Sequence, residues 1–325
     1  MQFVTYLPNS SQNFAGKPAI RSEEKLLDLA AFFSAMNLGP APSGMLELIE
    51  NQVKILPLIR AKINEVPASL WFPEASVKLG SPIPNPPSMR DGYAFRQHVE
   101  AARRNRGVPM IPEFDHFPVF YFTNHLAVSG PGDVPVQKLA QEKLDFELEV
   151  AIVIGKKGRN IPASKADEFI FGYMIMNDWS ARALQMEEMK LNLGPAKGKD
   201  FSTTLGPYLV TPDELTSRLL PPDGKNQGVR YDLRMRAYVN DQLLSDGNMK
   251  DISWTFAQII ERASYGVTLH PGEVIGSGTV GTGCLLELNG SKITDNLWLK
   301  PGDRVVMDVE GLGRLENNVV KGSEQ

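Results

Sequence analysis

The chain has 325 residues, 42% of them hydrophobic, and a formal charge of −4, enough apolar material for a large core and, lacking a basic stripe, a poor partner for nucleic acid. No run of about 18 apolar residues and no cationic leader ahead of an apolar segment occurs, so neither membrane insertion nor secretion is expected. The single cysteine, Cys284, permits no intrachain disulfide and no cysteine-based metal site, which suits a reducing cytoplasm.

In chain order, Phe3 to Leu7 reads as a short strand, and Pro18 to Leu29 as a hairpin turning at Glu23-Glu24. Met45 to Leu56 carries apolar residues at helical spacing, and Pro57 is expected to kink or end that helix before Leu58 to Val66 continues. Ser81-Pro-Ile-Pro-Asn-Pro-Pro87 is a stiff, extended segment. It divides the chain into a small N-terminal α/β module (1–80), a Pro-rich linker (81–87) and a larger domain (88–325). Tyr93 to Asn105 follows as a helix, with Arg103, Arg104 and Arg106 near its C-terminal end and Gly107 as its stop.

The remainder is mainly β. Phe146 to Gly155, Phe169 to Asn177, Arg230 to Val239, Gly283 to Leu288 and Arg304 to Val309 read as strands separated by Gly, Pro, Asn and Asp. Ser180 to Lys190 and Trp254 to Ser264 read as helices. The expectation is an α+β fold, mainly β, built on an antiparallel or mixed sheet.

Acidic residues stand out on two of these strands. Strand geometry puts Glu147 and Glu149 on one face and Phe146, Leu148 and Val150 on the other. Two carboxylates this close need a basic neighbour, a raised pKa or a cation. Further on, an apolar strand ends in Asn177-Asp178, with Ser180 placed to cap the helix that follows. On that helix Arg182 and Gln185 share a face. These acids are consistent with a solvent-facing strand and ordinary ion pairs, or with an all-oxygen site for Mg²⁺, Mn²⁺ or Ca²⁺, Mg²⁺ first.

Of the four histidines, His98 lies near Asp91 and Tyr93 and is the acid–base candidate; His116, His125 and His270 have no comparable context. Gly276 to Gly281 spells G-x-G-x-x-G, but a strand is expected after it, whereas a dinucleotide needs a helix N-terminus there. Gly194 to Asp200 is one residue short of a phosphate loop and has Asp where Ser or Thr is required. No nucleotide cofactor is expected.

Taken together, Asp91-x-Tyr93-x₄-His98, Glu147-x-Glu149, Asn177-Asp-Trp-Ser-Ala-Arg182-x₂-Gln185, Gly198-Lys-Asp-Phe-Ser-Thr-Thr204 and Gly276-Ser-Gly-Thr279 resemble, in order, the motifs of the fumarylacetoacetate hydrolase superfamily. The resemblance covers the chain from about residue 88. It implies a mixed β-sandwich roll, a homodimer and a cation held by Glu147, Glu149, Asp178 and Asp91, with Lys199 and Thr203 near a second cation or the substrate oxygens. It implies that His98, oriented by Glu287, is a general base, and that Lys199 and Gln185 stabilise an oxyanion. Tyr93, Tyr121, Arg182 and Thr279 match substrate contacts. The implied reaction is hydrolysis of a C–C bond in a 1,3-diketo acid, of fumarylacetoacetate or acylpyruvate type. Decarboxylation of an oxaloacetate-type acid, hydration or isomerisation of a 2-oxo acid, and a non-catalytic metal-binding role remain as alternatives. A tyrosine found shortly after the Gln185 position in fumarylacetoacetases is missing here, which leaves the substrate open.

Overall fold

The computed structural model describes residues 1–8, 16–224 and 226–323. Its larger sheet runs, in hydrogen-bonded order, through Trp71–Pro73, Lys25–Asp28, Lys17–Ser22, Gln2–Leu7, Thr203–Val210, Ile170–Asp178, Leu148–Ile154, Val274–Gly276, Met89–Gly92 and Phe120–Phe122. A second sheet of five strands contains Arg234–Val239, Gln242–Asn248, Arg304–Val309, Gly313–Lys321 and Gly132–Val136. This is a sheet-dominated α+β fold.

The central strands are apolar on both faces because both are covered. On Leu148–Ile154, Val150, Ile152 and Ile154 join the core shared with Leu233, Met235 and Met307 of the second-sheet region. Ala151 and Val153 face the opposite way, into a core with Phe32, Leu48 and Ile59 from the N-terminal helices. The first 80 residues thus add strands to the same sheet, Gln2 and Phe3 pairing with Val210 and Leu209. Within 81–87, Ser81, Pro82, Ile83 and Pro86 are buried.

Three local expectations need correction. The helix containing Pro57 is continuous from Gln52 to Lys62, and the break falls earlier, at Asn51. Pro57 is tolerated because the carbonyl it leaves unpaired, that of Val53, lies on the exposed side of the helix. Asn51 ends the preceding helix by donating its side-chain amide to the Glu47 carbonyl at 2.9 Å. Ser180 is no helix cap: it pairs in a two-residue strand with Asp145, and its hydroxyl donates to the Asp178 carbonyl.

The third correction is at Leu285–Gly290, which is a helix and not the end of a strand. Its apolar residues alone fit either period. The Asp145 carboxylate selects the helix by accepting the N–H groups of Leu285 and Leu286, at 2.6 and 3.0 Å. A helix therefore does follow the glycine-rich stretch, but its N-terminus is already occupied by a buried side chain.

Candidate active site

The acidic residues meet because adjacent strands place their chain-distant ends together. Leu148–Ile154 runs antiparallel to Ile170–Asp178 with Leu148 opposite Asn177, so the start of one strand adjoins the end of the other. Asp178 lies opposite Thr203, and Gly276 lies beside Asp91 on the parallel strand. Asp91, Glu147, Glu149 and Asp178 are all buried, each with a carboxylate oxygen within 4.8 Å of the others'.

Glycine makes this density possible. A Cβ at Gly276 would sit 2.4 Å from Asp91 Oδ1 and 3.0 Å from Glu149 Oε2. The N–H of Gly278, which has a φ of +78° favoured by glycine, donates to the same two carboxylates at 3.1 Å each. Gly276→Ala is therefore expected to force the acids apart, costing about 1–3 kcal/mol of stability as an overpacked site does. Calorimetric titration with Mg²⁺ or Mn²⁺ should show at least about tenfold weaker binding, since supporting contacts to ligands carry about 10–100-fold in affinity.

Two cationic side chains enter the cluster. Lys199 donates to Glu147 and, at 2.8 Å, to Asp178. Arg182 donates to Asp145 at 2.8 Å, to Glu147 at 2.7 Å and to the Gln185 side chain at 2.9 Å. Burial pushes the Glu147 carboxyl up, but Lys199 and Arg182 outweigh it and hold the group below the ordinary carboxylate range. Loss of hydration depresses Lys199, and the carboxylates of Asp178 and Glu147 more than restore it, so it is firmly an ammonium.

Asp91 and Glu149 have less relief, the charge of Lys199 lowering Asp91 only in part. Burial, then the charge of Asp178, pushes Asp91 up to about 7. Burial and the neighbouring Asp91 push Glu149 well above its usual range. The pair retains protons near neutrality because, among the described residues, the ion pairs of Lys199 and Arg182 go to Asp145, Glu147 and Asp178, three of the five buried carboxylates. Asp178 Oδ1 is buried with no hydrogen-bond partner among the described residues. An unpartnered carboxylate oxygen beside surplus negative charge fits an all-oxygen site for a hard divalent cation.

Cation binding must then displace protons. Below about pH 7 the affinity is expected to fall about tenfold or more per pH unit, and less steeply above it once Asp91 has ionised. Isothermal titration in buffers of differing ionisation enthalpy reads both the slope and the protons released.

The acid–base candidates form a second group. His98 Nδ1 lies 2.7 Å from Glu287 Oε2, with both residues buried. Glu287 is itself fixed, since its other oxygen accepts the Thr282 N–H at 2.9 Å. An Nδ1–H donated to this carboxylate leaves His98 Nε2 free to accept a proton. His98 and Glu147 are close enough to interact electrostatically, which ties this group to the acidic cluster.

The other expected site residues take varied positions. Tyr121 donates to Asp178 at 2.5 Å, Thr279 approaches Glu149 at 3.4 Å, and the Tyr93 ring meets His98 edge-on at 5.9 Å. Arg182 is locked among carboxylates, with Gln185 as its neighbour. Thr203 is buried in its strand and pairs through the backbone with Asp178 and Val128.

Two contributors were not singled out from the sequence. Asp145 continues the 145/147/149 alternation, and that period-2 run of acids was its available signal. Glu188 gathers the N–H groups of Ala196, Lys197 and Gly198 and so holds the loop that delivers Lys199; nothing in its local sequence marked it.

Known proteins share this arrangement of chain and fold. Residues 88–320 match the family model described as fumarylacetoacetate (FAA) hydrolase C-terminal. Oxaloacetate tautomerase YisK of Bacillus subtilis is 29% identical over 313 residues, covering 92% of this chain and 94% of that protein. Fumarylacetoacetase of Bos taurus is 32% identical over 268 residues, covering 67% of this chain and 64% of the bovine enzyme. Among solved structures, maleylpyruvate hydrolase from Sphingobium sp. SYK-6, in complex with manganese (II) ion and pyruvate, has the same fold, with a TM-score of 0.70 and 22% identity over 99% of this chain and 100% of that one. With the matched segment holding all four clustered acids and both members of the His98–Glu287 pair, the chain belongs to the fumarylacetoacetate hydrolase family.

Proposed function

We propose that this protein is a divalent-cation-dependent hydrolase that cleaves a C–C bond in a 1,3-diketo acid of the acylpyruvate type. The observation that carries the reading is the fixed His98–Glu287 pair beside a buried acidic cluster with an unpartnered oxygen on Asp178. Asp91, Glu147, Glu149 and Asp178 would hold the cation, Mg²⁺ or Mn²⁺. Bound there, it would supply the Lewis acid that polarises the dicarbonyl and offsets the charge of the departing enolate.

His98 Nε2 takes a proton from water as the oxygen attacks the distal carbonyl carbon. Glu287 holds the ring in the required tautomer and stabilises its positive charge. The C–C bond then breaks, its electron pair passing into the enolate of the 2-oxo acid, and the proton on His98 can return to that carbon. Lys199, with an ammonium that stays charged, would stabilise developing negative charge on oxygen.

The test is a panel of acylpyruvates and oxaloacetate assayed with Mg²⁺, Mn²⁺ or EDTA. Cation-dependent release of a carboxylic acid and a 2-oxo acid supports hydrolysis; its absence from every acylpyruvate sinks it. A second reading, tautomerisation of a 2-oxo diacid, is favoured by the relative that spans 92% of the chain. That reaction uses the same base and cluster but consumes no water.

A further inference from the structure

We infer that the cleft beside Tyr93 is an acyl-tail subsite that selects 2-oxo acids with an uncharged aliphatic or aromatic distal group over those with a distal carboxylate. The inference rests on the 2-oxo acid reading of the site and adds the nature of the substrate's far end.

The cleft has a volume of about 100 Å³ and is lined by Tyr93, Ile111, Phe114, Phe117, Val119 and Trp254, together with Glu113. Its position follows from two strands. Met89–Gly92 pairs with Phe120–Phe122, Asp91 facing Tyr121 and Gly92 facing Phe120. Tyr93 lies two residues beyond Asp91, and Val119 two residues before Tyr121, so in extended backbone each stands on the same side as its site residue. Asp91 is one of the clustered acids, Tyr121 bonds Asp178, and Tyr93 packs on His98. A 2-oxo acid head at the cluster therefore leaves its far end about 7 Å along both strands, at the cleft.

The chemistry of the lining decides what enters. Six of the lining residues are aromatic or aliphatic, and the remaining one, Glu113, is acidic. Trp254 is held by its indole N–H, which donates to the Phe114 carbonyl at 2.8 Å and presents the ring as a fixed wall. The guanidinium groups over the aromatic rings do not reverse this preference. Arg96, over Phe114, is already paired with Glu100 and Asp115. Arg262 lies over Phe117 and is exposed to water. A distal carboxylate would thus lose hydration against apolar rings beside Glu113 with no cation among the lining residues, Arg103 and Arg106, which act on Tyr93 from outside the lining, being half-buried and exposed, whereas an alkyl or aryl tail gains by burial.

The test uses the full-length protein with saturating Mg²⁺, titrated with 2-oxohexanoate and with 2-oxoglutarate, read by calorimetry and by tryptophan fluorescence. Binding of 2-oxohexanoate at least about tenfold tighter is expected, because each buried methylene is worth about 0.8 kcal/mol. The fluorescence change should be lost in Trp254→Phe, and Val119→Glu at the exposed rim should weaken 2-oxohexanoate at least tenfold. Tighter binding of 2-oxoglutarate, binding of neither acid, or a fluorescence change that persists in Trp254→Phe overturns the inference. A retained preference without hydrolysis of any acylpyruvate counts against the hydrolase reading alone.

Discussion

Replacing Glu149 with glutamine is expected to act in opposite directions on the protein with and without a divalent cation. The carboxyl is fully buried next to Asp91 and is pushed well above its ordinary range by burial and by that neighbour. A neutral isostere removes a carboxyl that must either carry a buried charge or hold a proton well above its ordinary range, so the cation-free variant should melt at the wild-type temperature or higher. Cation binding should weaken by about a hundredfold or more, since even outer partners of a ligand carry about 10–100-fold. The stabilisation a saturating cation confers on the wild type, about 2.7 kcal/mol at a hundred times its Kd, should fall to about 0.4 kcal/mol or less at that concentration. Melting curves with EDTA and with Mg²⁺ or Mn²⁺ measure both arms. A variant that is destabilised without cation yet still stabilised by it would remove Glu149 from the site.

The same groups fix the sign of the pH dependence. Asp91 titrates near 3.8 when unfolded and near 7 when folded without cation, so the folded chain binds the extra proton between those values. Its contribution is complete below pH 3.8 and is lost as pH rises through about 7. Glu149 acts with the same sign. Glu147, held low in the fold, acts with the opposite one, and its contribution is lost only below its unfolded value of 4.5. Between about pH 4.5 and 7 the cation-free protein should therefore lose stability as pH rises. A bound cation, which replaces the protons, should flatten that trend.

How much of this was legible in the sequence depended on whether one strand's period carried the signal. The alternation at 147 and 149 and the apolar run ending in Asp178 exposed three acids as candidates, because side-chain direction in a strand follows from position alone. The family motifs supplied Asp91 and the His98–Glu287 pairing. What could not be read was long-range. Arg182 resembled a substrate contact by motif, and nothing in its local sequence announced the ion pairs its guanidinium makes with Asp145 and Glu147. Leu285–Gly290 looked like a strand because its apolar residues fit either period, and the deciding contact came from Asp145, 140 residues away. Pro57 looked like a helix breaker because its solvent-facing placement depends on which side of the helix the sheet covers.

Replacing His98 with alanine should lower the rate of C–C hydrolysis by about 10²–10⁴, the range a positioned general base contributes. Cation affinity should change far less, because His98 is not among the four clustered acids. Glu287→Gln, which keeps a hydrogen-bond partner near Nδ1 but removes the charge, should fall between wild type and His98→Ala. Hydrolysis at full rate in His98→Ala would leave the attacking water without its assigned base. Loss of hydrolysis together with loss of cation binding would mean that His98 supports the site's structure instead. Only a collapse in turnover with the cation still bound is what a residue poised at 2.7 Å from Glu287, next to but outside the acidic cluster, should produce.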